Sequence, residues 1–255
     1  VPDPLIRVVA ETASTNSALL ERLSHGEAPV QGQWLVADRQ TAGRGRAGRV
    51  WTDGFGNFMG STAVALRDAE ALPQTLALVA GLSVHRALMA VVPALSGLVL
   101  KWPNDLLVGE AKLCGILLER QRDAVVVGIG VNLAEAPDVP GRKTASLAGL
   151  GYDVSRDAFA SALAETWAED LTAWHAGGWP MLREAWLVRS LPKGTLLGVN
   201  LSEEGHVIGG FAGLEPDGAV LLRLADGSVR AIHAGDVELI GASRSDVGGQ
   251  DASGG

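Results

Sequence analysis

The chain has 255 residues, 47% of them apolar, and a formal net charge of −8. That apolar content supports a sizeable core and excludes global disorder, while the acidic balance excludes the broad positive field that non-specific nucleic-acid binding requires. The single cysteine, Cys114, lies in an apolar stretch; it excludes an internal disulfide and reads as a packed thiol. The length accommodates one large domain or a large one plus a small one. No secretory signal is visible. The longest apolar stretch, Leu72 to Val92, is interrupted by Gln74, His85 and Arg86. A buried helix is therefore expected there rather than a membrane span, and the cytoplasm is the default compartment.

Leu5 to Ala10 is a short strand candidate. Ser14, Thr15 and Asn16 then precede an amphipathic run that stops at Gly26, which predicts a helix capped by Ser14 or Thr15. Gln33 to Asp38 reads as a strand. The following loop, Arg39 to Trp51, carries Gly43, Gly45 and Gly48 at the spacing of a dinucleotide-binding fingerprint, with Asp68 about 20 positions on. The context rejects that match, because no helical apolar period follows Gly48 and a strand, Phe58 to Leu66, comes instead. Arg44, Arg46 and Arg49 in this glycine-rich loop should repel one another until an anionic ligand orders them. A solvated basic loop touching nucleic acid is the blander reading.

Leu72 to Val92 has helical periodicity ending at Pro93, and His85 on it has no expected role. Leu98 to Leu100 feeds Lys101-Trp-Pro-Asn-Asp105, where a strand must end. Asp105 to Lys112 predicts a hairpin turning at Gly109 and Glu110, with Lys112 opening a second apolar strand through Glu119. Two lysines and a carboxylate thus meet at one end of paired strands, a setting suited to phosphate or carboxylate oxygens. Ala124 to Leu133 is apolar on both faces and predicts a central strand. Gly128 and Gly130 within it point to close approach of a ligand or another backbone. Asn132 is either a polar group delivered to the same region or a turn-starting residue. Ser155 to Trp174, with Ser155 as cap, and Trp179 to Val188 read as helices.

After Pro192 the pattern becomes short strands, 195–201, 206–214, 219–224 and 228–233, split by Glu203-Glu-Gly, Pro216-Asp-Gly and Asp226-Gly. This is a small barrel-like module expected to host little chemistry by itself. Glycine- and serine-rich residues 242–255 are expected to be disordered. The resulting division is 1–190 for a large domain, 191–241 for the small module and 242–255 for the tail.

Ser14-Thr-Asn16, Gly43 through Trp51, Lys101-Trp-Pro-Asn-Asp105 with Lys112-Leu-Cys-Gly-Ile-Leu-Leu-Glu119, and Gly128-Ile-Gly-Val-Asn-Leu133 occur in order at ordinary spacings. Each is weak alone; together they closely resemble the biotin protein ligases, strongly from about Thr12 to Leu133 and by architecture to about Ile240. The resemblance implies an α+β fold, with a mixed sheet and flanking helices like the class II aminoacyl-tRNA synthetases, followed by a small SH3-like β-barrel. It implies an ATP-dependent ligase that makes biotinyl-5′-AMP with Mg2+ and passes biotin to one lysine of the biotin carboxyl carrier domain of a carboxylase.

By the same resemblance, Ser14, Thr15, Asn16 and Gln40 would bind the ureido head of biotin. Arg44, Gly45 and Arg46 would fold over biotin and the adenylate, with Gly115 also at the biotin. Lys112 would lie between the biotin carboxylate and the α-phosphate. Arg49, Trp51, Asn104, Asp105 and Asn132 would serve ATP, Trp51 near the adenine. Catalysis would fall to Lys112, Arg46 and Asp105. Asp105 would also help to deprotonate the acceptor lysine, and Mg2+ would be held mainly by phosphates, with Asp105 a candidate ligand. Trp102 and Pro103 read as structural. Ala47 and Val50 depart from the charged residues common in the family.

The resemblance leaves monomer and homodimer both open. The chain has no room before Val8 for a DNA-binding domain, so a ligase-only form without nucleic-acid or membrane partners is expected, although it starts at Val1 rather than Met. The rival readings are a lipoate or octanoate ligase or transferase of the same superfamily, and a catalytically silent biotin-binding module.

Overall fold

The computed structural model describes residues 6–67, 72–201 and 205–240. Asp68 of the rejected fingerprint, Glu203 and Glu204 of one expected turn, and the tail 242–255 lie outside the described residues. The first sheet begins with β1 (Ile6–Thr12), followed by helix α1 (Thr15–Ser24), β2 (Trp34–Gln40) and β3 (Phe58–Ala65). Helix α2 (Leu76–Val91), β4 (Leu98–Lys101), β5 (Asp105–Val108), β6 (Ala111–Gln121) and β7 (Ala124–Val131) complete its elements. The strand order is β1-β2-β3-β7-β6-β5-β4, with β1 and β2 parallel across α1 and the remaining neighbours antiparallel. The expected hairpin turns at Gly109 and Glu110, and the apolar run that begins at Ala124 is the middle strand of seven.

Alternation along the strands assigns the two sheet faces. Val36, Val64, Val125 and Val127 belong to the main core beneath α2, α3 (Arg156–His175) and α4 (Trp179–Val188). Leu35, Ala63 and Val126 point the other way, onto Leu19 and Leu23 of α1. Residues 73–91 are long and apolar enough to cross a membrane, but Leu76, Val79, Leu82, Val84 and Leu88 are buried in the core. His85 on the same helix is pushed down to about 4 by burial and by Arg189, so it is neutral at pH 7 and stays outside the site. The indole N–H of Trp102, which is buried, donates to the carbonyl of Gly218 at 2.9 Å, the structural role expected of it.

The second sheet contains β8 (Leu196–Leu201), β9 (Gly205–Leu214), β10 (Val220–Arg223), β11 (Val229–Ile232) and β12 (Asp236–Leu239), in the order β11-β10-β9-β8-β12 and antiparallel. The fold is thus α+β, with a mixed sheet, flanking helices and a C-terminal antiparallel sheet. Two features differ from expectation. Strand β12 was not foreseen, because Asp-Val-Glu-Leu is too short and too charged to stand out. The small sheet also does not form a core of its own: Leu197, Val199, Phe211, Leu214, Val220 and Leu222 join the main hydrophobic cluster. A segment of this size buries too little apolar area alone.

Candidate active site

A cavity of about 400 Å³ opens on the α1 face of the first sheet, just beyond the start of that helix. Its floor is β6 and β7, where Gly115 pairs with Gly130 and Leu117 with Gly128. Of the residues expected in the site, Ser14, Thr15, Asn16, Gln40, Arg44, Gly45, Arg46, Arg49, Trp51, Asn104, Lys112, Gly115 and Asn132 all line it. Asp105 does not; it lies behind Lys112 and faces a neighbouring cavity of about 280 Å³ shared with the second sheet.

One end of the cavity is a buried polar chain. Ser14 caps α1, its side chain accepting from the N–H of Ser17 at 3.4 Å. The capping reading thus holds for Ser14, and Thr15 and Asn16 line the cavity beside it. The backbone N–H of Thr15 donates to Gln40 Oε1 at 2.8 Å, and the hydroxyls of Thr15 and Ser61 lie 2.6 Å apart. Ser61 Oγ donates to Asn16 Oδ1 at 2.6 Å, and Asn16 Nδ2 donates to Glu119 Oε2 at 2.9 Å. Thr15, Asn16 and Ser61 are at most 3% exposed, so each polar atom here needs a partner, and the chain supplies partners in sequence.

The glycines of the floor line the cavity and also make room for side chains of the site itself. A Cβ on Gly128 would lie 2.2 Å from Asn16 Oδ1, and one on Gly130 would lie 2.3 Å from the indole of Trp51. Trp51 therefore lies against the floor over Gly130 and Gly115, with its buried N–H lacking a partner among the described residues.

The other end is cationic. Lys112 Nζ sits 2.5 Å from Asp105 Oδ1, and Lys101 Nζ sits 3.6 Å from Oδ2. Burial opposes ionisation of Asp105, but the two lysines outweigh it and hold its carboxyl below the usual carboxylate range. Burial likewise lowers Lys101, against the pull of Asp105. Lys101 also donates to the carbonyl of Val237 at 2.6 Å. Asn132 Nδ2 donates to the carbonyl of Ala145 at 3.0 Å, which ties the cavity wall at residues 137–144 to the end of β7.

The glycine–arginine loop opens no α-helix; Arg46 to Gly48 form one 3-10 turn, and Arg44 bridges to Val50. Arg46 is lowered first by burial and also by Arg49, so the expected repulsion is present, but each arginine has a partner that offsets it. Arg44 bonds Glu119 at 2.9 Å, and Arg49 bonds Asp236 at 2.6 Å. Arg46 bonds Asn104 Oδ1 at 2.9 Å and the carbonyl of Gly235 at 3.1 Å. Gly235 and Asp236 belong to the second sheet region, so the small module takes part in the site after all. Arg49 first, then Arg142, holds the Asp236 carboxyl below its ordinary range against burial. Sequence reasoning missed Ser61, Glu119, Arg142 and Asp236. Two of them left a usable signal: Ser61, with Thr62, interrupts an apolar strand, and Glu119 is a charge near the end of another.

Magnesium does not fit a protein-held site. No three His, Cys, Asp or Glu side chains come together among the described residues, and Asp105 is already compensated by two lysines.

The cavity floor thus runs from a buried polar chain to a cationic end at Lys112, Arg46 and Arg49. Residues 8–133 match the Biotin/lipoate A/B protein ligase family, and residues 198–240 match the Biotin protein ligase C terminal domain. The chain is 36% identical over 229 residues to a biotin–[acetyl-CoA-carboxylase] ligase of Paracoccus denitrificans, covering 85% of this chain and 93% of that protein. It is 36% identical over 237 residues to the Mycobacterium tuberculosis ligase of the same name, covering 90% and 87%. A solved structure of the Aquifex aeolicus biotin protein ligase in complex with biotin and ATP superposes with a TM-score of 0.81 at 27% identity, covering 93% of this chain and all of that one. The chain belongs to the biotin protein ligase family, and it is an enzyme of that ligase class.

Proposed function

We propose that the protein activates biotin with ATP to biotinyl-5′-AMP and transfers the biotin to a lysine of a biotin carboxyl carrier domain. The observation that carries this reading is the gradient along one cavity: a buried polar chain, an apolar glycine floor, then Lys112 with Arg46 and Arg49. Biotin has the matching order of groups, an uncharged hydrogen-bonding ureido head, an apolar body and a carboxylate.

In the first step a carboxylate oxygen attacks the α-phosphorus, the bond to the β-phosphate oxygen breaks, and pyrophosphate leaves. Both reactants are anionic, so fixed cations at the junction lower the barrier. Lys112 takes that position, and Asp105 holds it there. Arg49 serves the phosphates through its fork of donors, while Arg46, Asn104 and Asn132 serve the adenylate and Trp51 offers a face to the adenine. In the second step the neutral amine of the acceptor lysine attacks the acyl carbon, AMP leaves with the bonding pair, and the amine loses a proton. A carboxyl held below its ordinary range is a poor base, so Asp105 acts by positioning Lys112 rather than by taking that proton. Magnesium accompanying ATP would be carried by phosphate oxygens. Residues 1–190 supply the chemistry in this reading, and residues 191–241 brace the arginine loop.

The test is pyrophosphate release from ATP with biotin, lipoate or octanoate, followed by transfer to a carrier domain. Biotin-dependent release and labelling of one carrier lysine are expected. Release with lipoate or octanoate alone would move the chain to the sister activity, and biotin binding without release would make it a silent binder.

A further inference from the structure

Beyond Leu117, the next residue of β6 on the cavity face is a carboxylate. Alternation puts Gly115, Leu117 and Glu119 on one side of the strand, opposite Gly130, Gly128 and Val126 of β7. A single oxygen of Glu119, Oε2, accepts from Asn16 Nδ2 and from Arg44 Nη2, both at 2.9 Å. Those partners come from opposite walls, the first turn of α1 and the glycine–arginine loop. The Glu119 side chain is 23% exposed, and it does not line the cavity itself.

The two contacts do different work. Asn16 can present its amide either way round. Ser61 donates to Oδ1, and Glu119, which can only accept, requires Nδ2 on its side. Together they fix one orientation in a residue that is 3% exposed. Arg44, 45% exposed, is instead tethered by charge, so the start of the loop is held to the sheet. Ala would leave Asn16 Nδ2 buried without a partner and would release the Arg44 side chain.

We propose that Glu119 is a positioning residue that sets affinity for biotin by orienting Asn16 and holding Arg44 over the ureido end of the cavity. The inference rests on the biotin reading above. It predicts a split: Glu119 governs the ureido end, where its two partners lie, and has no bond to Lys112, Arg46 or Arg49.

The experiment compares wild type, E119A, E119Q, N16A and the double variant E119A/N16A, by biotin titration calorimetry and by biotin-dependent pyrophosphate release. Loss of a charge-assisted hydrogen bond to a buried amide should raise the biotin Kd of E119A about tenfold or more. The KM for ATP should stay within about twofold, since mutations without shared partners act independently. E119Q keeps an acceptor oxygen without the charge and should fall between wild type and E119A. Because Asn16 is one of the two groups Glu119 acts through, the double variant should bind more tightly than the product of the two single losses predicts. An E119A that binds biotin as wild type does, that raises the KM for ATP as much as that for biotin, or whose loss multiplies in full with that of N16A would overturn the assignment. A wild type that releases no biotin-dependent pyrophosphate and binds no biotin overturns the biotin reading and this inference with it. An active wild type with an unaltered E119A overturns this inference alone.

Discussion

At the Asn16 end of the cavity the partners of each polar group come from the same sheet and its own helix, Gln40, Ser61 and Glu119. At the Arg49 end they come from the other sheet: Asp236 for Arg49, the carbonyl of Gly235 for Arg46 and the carbonyl of Val237 for Lys101. In the first set Gln40 and Ser61 are buried and Glu119 is 23% exposed, whereas Arg49 and Asp236 are 35% and 43% exposed. A largely buried hydrogen-bonded chain forms with the fold and keeps one geometry. An exposed ion pair is weak and screened, so an incoming polyanion can displace it. The comparison assigns recognition to the rigid end and charge exchange to the yielding one.

The largest effect should come from Lys112, where the two ends meet. K112A is expected to lower adenylate formation about a thousandfold, the scale of a lost electrostatic stabiliser, with a native circular dichroism spectrum, since Lys101 still faces Asp105. Pyrophosphate release near the wild-type rate would remove Lys112 from the reaction.

Next in size is G128A, whose Cβ would lie 2.2 Å from Asn16 Oδ1. Displacing that amide should weaken biotin binding by about tenfold to a hundredfold, from the usual cost of overpacking, with little change in the KM for ATP. Equal damage to both would mean that the two ends are not separable.

D236A should act in the opposite sense. Freed from its resident carboxylate, Arg49 loses its aim in the empty protein, but it also loses a competitor for phosphate. The KM for ATP should therefore shift only about twofold to threefold, the scale of an exposed pair, and the biotin Kd should hold. Raising ionic strength should separate the ends in the same way, weakening ATP binding much more than biotin binding. Identical salt slopes for both ligands would contradict the contrast.

The smallest effect concerns the loop itself: biotin should slow tryptic cleavage at Arg44, Arg46 and Arg49, and equal digestion with and without it would count against closure over the ligand. Acid should spare the ion-paired centre. The lowered Asp105 carboxyl contributes its stability in full above its ordinary value of 3.8 and loses it only as the pH falls through the depressed value. Melting curves of D105N against wild type should therefore diverge above that pH and converge below it.

Sequence alone was enough for most of the frame. The run Ala124 to Val131 carries no polar side chain and reads as a strand covered on both faces, and it lies at the centre of the sheet. Ser14, Thr15 and Asn16 before an amphipathic run mark a helix start, and Lys101 to Lys112 with its Gly109 turn marks a hairpin carrying two lysines and a carboxylate. These are local signals, fixed by periodicity, capping and turn chemistry, and the ligase motifs coincide with them.

What depended on tertiary contact was out of reach. Asp236 lies 187 positions from the arginine it holds, and Ser61 lies 45 from Asn16. No period or spacing encodes such pairs, because they exist only once two separately formed layers meet. For the same reason the side chains that lie over Gly128 and Gly130, those of Asn16 and Trp51, could not be named from the sequence. Residue types and spacings determined which strands and helices form and which groups reach the cavity. Only packing decided which partner each group keeps there, since a hydrogen bond or ion pair between distant segments depends on their final distance and burial.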